Sequence, residues 1–144
     1  MLGKDRLTET EARQISPIVL AFVGDAVYNL YVKEKLVRAG GGKASDFQRT
    51  AARVVSARGQ SAFLERLLPL FTDEETEIFR RGRNAKKPSK SKNADPLEYN
   101  RSTGFEAVIG YLYLVGRTDR IEELLEKDDG SSYELKPVAE EYKP

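Results

Sequence analysis

The sequence predicts an all-α fold. Three observations carry that prediction. No segment of useful length alternates apolar and polar residues with period two. Several stretches repeat apolar residues with the 3.6-residue period of a helix. Ser, Thr, Pro and Gly punctuate those stretches where helix ends call for them.

Each element follows from its own residues. Ser16 reads as an N-cap, and Pro17 fits the first turn, where its missing N–H costs nothing. Gly40, Gly41 and Gly42 terminate that helix. Between these ends run Ile18, Leu20, Phe22, Val23, Val27, Leu30, Tyr31 and Leu36. The first half is apolar nearly all round, which predicts a core helix buried on several sides. The glycine run is no phosphate-binding loop, because Val37 stands where that motif needs its first Gly and Ala44 where it needs Ser or Thr. Ser45 followed by Gln48 predicts a capping box for a second helix to about Val55. Ser56 opens a third, with Phe63, Leu64, Leu67, Leu68 and Phe71 as its stripe and Pro69 near its end.

Thr72 and Glu75 form another capping box and open a helix to about Gly82. Its acids Asp73, Glu74 and Glu75 come first and Arg80 and Arg81 last, the order that the helix dipole favours. Residues 83–96 carry no apolar side chain larger than Ala apart from Pro88 and Pro96, and read as a mobile loop. A last long helix is expected over 101–114, with Phe105, Val108, Ile109, Leu112 and Tyr113 inward and Gly116 as terminator. Thr118 caps a small helix to about Lys127. The organisation expected is a leader over 1–14, a helical domain over 15–127 and a disordered acidic tail over 128–144.

Composition narrows the chemistry. The 144 residues include no His, Cys or Trp. Disulfides, thiolate zinc sites, cysteine nucleophiles and imidazole proton shuttles are therefore excluded. An enzyme of this composition must work with carboxylates, hydroxyls, Lys, Arg or a hard oxygen-bound metal. The charges of the first 13 residues cancel, unlike the positive start of a secretory leader. The 18 residues Ile15–Val32 carry one charge, Asp25, and a charge there would cost about 2.5–3.5 kcal/mol at a bilayer centre. A soluble, cytoplasmic chain with no membrane association is expected.

Two acids interrupt apolar helices. Asp25 is flanked by Gly24 and Ala26, and Gly within a helix costs about 1 kcal/mol relative to Ala. Glu106 interrupts Phe105, Ala107, Val108 and Ile109, with Gly104 and Gly110 on either side. Small neighbours beside an acid point to a close approach. Buried carboxylates are either paired in salt bridges with Arg or Lys, or bind a metal. Mg²⁺ needs only one or two carboxylates plus waters and substrate phosphate, and supports phosphodiester hydrolysis. A basic stretch adds Arg80, Arg81, Arg83, Lys86, Lys87, Lys90 and Lys92 with no acid among them. It is either a solvated segment or a reader of a phosphate backbone. Its lack of aromatics suits a duplex better than a single strand. Residues 80–101 hold eight cationic and two acidic side chains, whereas 102–144 hold five and ten.

These residues carry a resemblance. Val23-Gly24-Asp25-Ala26-Val27 resembles the signature of ribonuclease III catalytic domains, and Phe105-Glu106-Ala107-Val108-Ile109-Gly110-Tyr111 their second acidic motif. Arg80-Arg81-Gly82-Arg83-Asn84-Ala85-Lys86 and Ser102-Thr103-Gly104-Phe105-Glu106 resemble the short variant, Mini-ribonuclease III, which lacks the double-stranded-RNA-binding domain. The resemblance covers about residues 15–127. It implies a helical homodimer whose two sites each cut one strand of an RNA duplex, leaving 5′-phosphate and 3′-hydroxyl ends. It implies Mg²⁺ held by Asp25 and Glu106, and a substrate in the precursor of large-subunit (23S) ribosomal RNA, with a ribosomal protein as an assisting partner. Two acids of the full-length pattern are absent, since their positions hold Ala21 and Thr103. Asp95 stands as a third candidate carboxylate. The rival expectations are a non-catalytic double-stranded-RNA-binding or ribosome-assembly module on the same fold, and a purely structural helical adaptor.

Overall fold

The computed structural model describes residues 5–87, 95–128, 130 and 133–135. Those residues form seven α-helices and one 3₁₀ turn, with no strand among them. The helices are α1 (Glu9–Arg13), α2 (Pro17–Ala39), α3 (Ala44–Val55), α4 (Ala57–Leu67), α5 (Asp73–Asn84), α6 (Pro96–Leu114) and α7 (Thr118–Leu125). The 3₁₀ turn, Leu68–Leu70, follows α4 at Pro69.

Helix α6 is the centre of the fold. Phe105, Ala107, Val108, Ile109, Tyr111 and Leu112 are buried almost completely around its whole circumference. Helices α2, α4, α5 and α7 pack around it. Tyr28 of α2 meets Phe105 edge-on at 5.1 Å, and Phe63 of α4 meets the same ring at 6.2 Å. The multi-sided burial expected of α2 therefore belongs to α6. Helix α2 buries one stripe, Leu20, Gly24, Val27, Tyr28, Val32 and Leu36. Its opposite stripe, Val19, Phe22, Leu30 and Val37, faces outward, with Phe22 79% exposed.

The α2–α6 crossing is made by backbone. A Cβ built on Gly24 would fall on the Glu106 carbonyl, and one built on Gly110 would fall on the Leu20 carbonyl. Only glycine at both positions lets the two helices touch main chain to main chain. That contact brings the stretches around Asp25 and Glu106 together.

Most helix ends lie where the punctuation placed them. Ser16 caps α2 with Pro17 in its first turn, and Gly40 ends it at φ 72°. Thr72 and Glu75 form the reciprocal cap of α5. Several boundaries differ. Helix α3 begins at Ala44, because the Asp46 carboxylate accepts the Lys43 N–H at 3.0 Å, so Ser45 lies inside the helix. Helix α5 continues to Asn84, which takes Arg83 out of the loop. Helix α6 begins at Pro96, five residues before Arg101, because Asp95 caps the Leu97 and Glu98 N–H groups. Thr118 is the first residue of α7 rather than its cap.

The two ends also differ from a bare leader and tail. Thr8 and Glu11 box-cap α1, Ala12 is fully buried, and Leu7 N–H donates to the Leu114 carbonyl at 2.9 Å. Past α7, Tyr133 and Leu135 pack against the core, and Arg53 donates to the Glu134 carbonyl at 2.8 Å. The ammonium of Lys35 lies 4.4 Å from the centre of the Tyr133 ring. The described part of 128–135 is thus attached to the domain by two apolar contacts that charge content alone conceals.

A buried ion pair ties α5 to α7. Glu75 is fully buried and accepts from Arg120 through both carboxylate oxygens, at 2.8 and 2.9 Å. Arg120 also donates to the Leu70 carbonyl at 2.7 Å. Burial alone would raise the Glu75 pKa. The Arg120 hydrogen bonds, the Thr72 N–H and the charges of Arg120 and Arg117 outweigh it and hold the carboxyl below its ordinary value. No helix of the described residues is long and apolar enough to cross a membrane.

Candidate active site

Asp25 and Glu106 line one cleft of about 650 Å³, whose walls come from α2, the start of α4, and the N-terminal half of α6. Asp25 is exposed at its surface and Glu106 is partly covered. Neither carboxylate is ion-paired with a Lys or Arg among the described residues, so the salt-bridge alternative finds no partner there. The Asp25 carboxylate accepts from Asn29 Nδ2 at 3.2 Å, and the same amide donates to the Asp25 carbonyl at 2.8 Å.

Burial is the main cause that pushes the Glu106 carboxyl up to about 9. The neighbouring Asp25 carboxyl adds to it, by a hydrogen bond and by its negative charge, and the Gln60 amide works the other way. A part-buried carboxyl beside a second acid, with no Lys or Arg of the described residues paired to either, forms a place where a positive ion is favoured.

Gln60 fixes the Glu106 side. Its Nε2 donates to the Val55 carbonyl at 2.9 Å and lies 3.5 Å from Glu106 Oε2. Its Oε1 is buried without a hydrogen-bond partner. Gln60 and Arg58, which also lines the cleft, lie outside the residues that the motifs single out. A signal for Gln60 existed. It occupies the first position of the stripe Gln60, Phe63, Leu64, Leu67, where a polar residue on a buried face needs a reason.

Asp95 and Glu98 line the same cleft. Asp95 spends its Oδ1 on the α6 cap. Among the described residues no group of three His, Cys, Asp or Glu side chains is placed to hold a metal ion, so Asp95 is not brought in as a third ligand. Thr103 is buried and donates to the Tyr99 carbonyl at 3.1 Å, and Ala21 is buried in the α2 stripe. A second cleft of about 500 Å³, between α2 and α7, holds none of the expected site residues.

The chain compares directly with known proteins. Residues 18–117 match the model of the ribonuclease III domain, a span that contains both acids. The chain belongs to the ribonuclease III family. It is 46% identical over 112 residues to a Mini-ribonuclease 3 of Symbiobacterium thermophilum, covering 78% of this chain and 86% of that one. It is 43% identical over 126 residues to a Mini-ribonuclease 3 of Brevibacillus brevis, covering 88% and 93%. The crystal structure of a protein from Fusobacterium nucleatum has the same fold, with a TM-score of 0.71 at 25% identity over 79% of this chain and 91% of that one. The protein is an endoribonuclease of the ribonuclease III type.

The basic residues divide into two groups. Arg80, Arg81 and Arg83 stand on α5. Arg80 pairs with Glu77 at 2.6 Å, Arg81 donates to the Arg13 carbonyl, and the Arg83 guanidinium lies 5.7 Å from the Phe79 ring centre. Lys86 is exposed. Lys87 donates to the Gly82 and Arg83 carbonyls at 2.9 and 2.8 Å and so closes the C-terminus of α5. Burial lowers its pKa. Lys90 and Lys92 lie outside the described residues.

Proposed function

We propose that this ribonuclease cleaves double-stranded RNA with Mg²⁺ held by Asp25 and Glu106. The convergence of two unpaired carboxylates on one cleft carries the reading. The residues fit the ion: both are hard oxygen donors, and the Gln60 amide whose Nε2 faces Glu106 has a buried Oε1 with no hydrogen-bond partner. Mg²⁺ keeps several waters, so a two-carboxylate site suits it. When bound, the ion supplies positive charge against the developing phosphoryl charge and activates water. Asp25 and Glu106 hold and orient it, Gln60 fixes the Glu106 rotamer, and Asn29 fixes Asp25. The motif resemblance supports a substrate in large-subunit ribosomal RNA precursor, with a ribosomal protein as helper. A labelled RNA duplex run with and without Mg²⁺ tests the reading: a cut should appear only with the ion. Duplex binding unchanged by Mg²⁺ and never followed by a cut would favour the ribosome-assembly module instead.

The protein acts as a homodimer in this reading. The outward stripe of Val19, Phe22, Leu30 and Val37 runs the length of α2 and would be covered by a second copy. Phe22→Glu should leave the fold intact and sediment as a monomer, whereas the wild type should sediment as a dimer at micromolar concentration. Identical sedimentation of the two would remove Phe22 from the interface.

The basic segment holds the duplex backbone. Replacing Lys86, Lys90 and Lys92 by Gln should weaken duplex binding and lower the log–log salt slope by about 0.7–0.9 per lost phosphate contact. Cleavage at saturating RNA should fall much less, because neither acid is touched. Equilibrium binding measured across a range of salt checks this. An unchanged slope would mean that these lysines meet only solvent.

A further inference from the structure

The cleft that holds the acids also carries a cation that the family motifs do not include. Arg58 is the only Lys or Arg among the described residues lining the cleft, against Asp25, Asp95, Glu98 and Glu106. It is exposed, and no carboxylate of a described residue lies within ion-pair distance of it. Arg101 and Arg120, by contrast, sit on Glu65 and Glu75. An arginine left unpaired beside four acids has its guanidinium available for another anion.

Its backbone is held firmly. The Ser56 hydroxyl donates to the Arg53 carbonyl at 2.7 Å and accepts the Gly59 N–H at 3.1 Å. Gly59 packs so closely on the end of α3 that a Cβ there would lie 2.5 Å from the Arg53 carbonyl oxygen. Arg58 therefore projects from a turn clamped on both sides. A cleft with three more acids than bases repels a phosphodiester unless cations meet it. The planar guanidinium fork matches two phosphate oxygens.

We propose that Arg58 is a catalytic residue that grips a non-bridging oxygen of the scissile phosphodiester; this rests on the reading of the cleft as the cleavage site. In hydrolysis the oxygen of one water bonds to phosphorus and the phosphorus–O3′ bond breaks. One water proton ends on the leaving O3′, and the other stays on the new 5′-phosphate or passes to solvent. Negative charge on the non-bridging oxygens changes between ground and transition states, and a guanidinium set against them stabilises the latter.

Single-turnover cleavage of an RNA duplex by Arg58→Ala and Arg58→Lys, with Mg²⁺ and saturating protein, tests this. The maximal rate of Arg58→Ala should fall about 100-fold, the usual scale for one preorganised charge-stabilising group. Duplex affinity, read in the Glu106→Gln background, should change by less than about threefold, a loss in rate and not in binding. Arg58→Lys should recover only part of the rate, and free guanidinium ion should raise the rate of Arg58→Ala but not of the wild type. A maximal rate of Arg58→Ala equal to the wild type would overturn the proposal. So would a loss confined to affinity with a lowered salt slope, which marks an ordinary backbone contact. If Glu106→Gln itself cuts, the reading of the cleft fails. If Glu106→Gln is inactive and Arg58→Ala is fully active, only the role of Arg58 fails.

Discussion

Glu106→Gln and Asp25→Asn should each reduce duplex cleavage by about 1,000-fold or more, since losing a single charge-stabilising group already costs about 10²–10³ and here the cation is lost with it. Both swaps keep shape and remove ligand charge. Single-turnover assays with Mg²⁺ measure the loss, and either variant cutting at near the wild-type rate would sink the assignment. Stability should move the other way in metal-free buffer. The folded Glu106 carboxyl is raised to about 9, so burial and Asp25 penalise its charged form. Below the ordinary Glu pKa the carboxyl is neutral in both folded and unfolded chains, and no stability is lost. As pH rises from there toward 9, the unfolded chain gives up a proton that the folded chain keeps, and the fold weakens. Glu106→Gln carries no such proton. Its melting temperature should equal that of the wild type at pH 4 and exceed it increasingly toward pH 9.

Arg120→Met should destabilise the domain by about 3–5 kcal/mol at neutral pH, because it strands the fully buried Glu75 without its partner. Urea unfolding measures the loss. The folded Glu75 carboxyl lies below its ordinary value, so the wild type gains stability from it above the ordinary Glu range. That gain disappears as pH falls through the lowered native value. The gap between wild type and Arg120→Met should close in acid. The double variant Glu75→Gln, Arg120→Met should recover much of the loss at neutral pH, since no buried charge remains. A gap that stays constant down to pH 2 would show that packing of the Arg120 stem, and not the ion pair, supplies the stability.

Residue types that act locally were legible in the sequence. Ser16, Thr72 and Ser56 start helices through their own hydroxyls, and Gly40 and Gly116 stop them with positive φ. Asp25 and Glu106 were legible because acids inside apolar stretches are costly. What depends on neighbours distant in sequence was less visible. Glu75 holds the first position of the buried stripe Glu75, Ile78, Phe79, Gly82, but its partner Arg120 is 45 residues away. Hydrophobicity alone made α2 appear to be the central helix. Centrality belongs to α6 because α1, α2, α4, α5 and α7 all contact it, a property of the assembled chain. Asp95 read as a loop acid free for a metal, whereas it starts a helix.

The meeting of α2 and α6 through Gly24 and Gly110 has a mechanical consequence. Most active sites are spaced by side chains, which hop between rotamers and creep as a core is repacked. Here the stretches that carry the two acids are separated by touching carbonyls and α-carbons, among the least compressible parts of a protein. The site behaves like two jaws riveted at the pivot. Loosening the surrounding core should leave the opening of the jaws unchanged until the rivet itself fails, so cleavage capacity should vanish in step with global unfolding and not ahead of it.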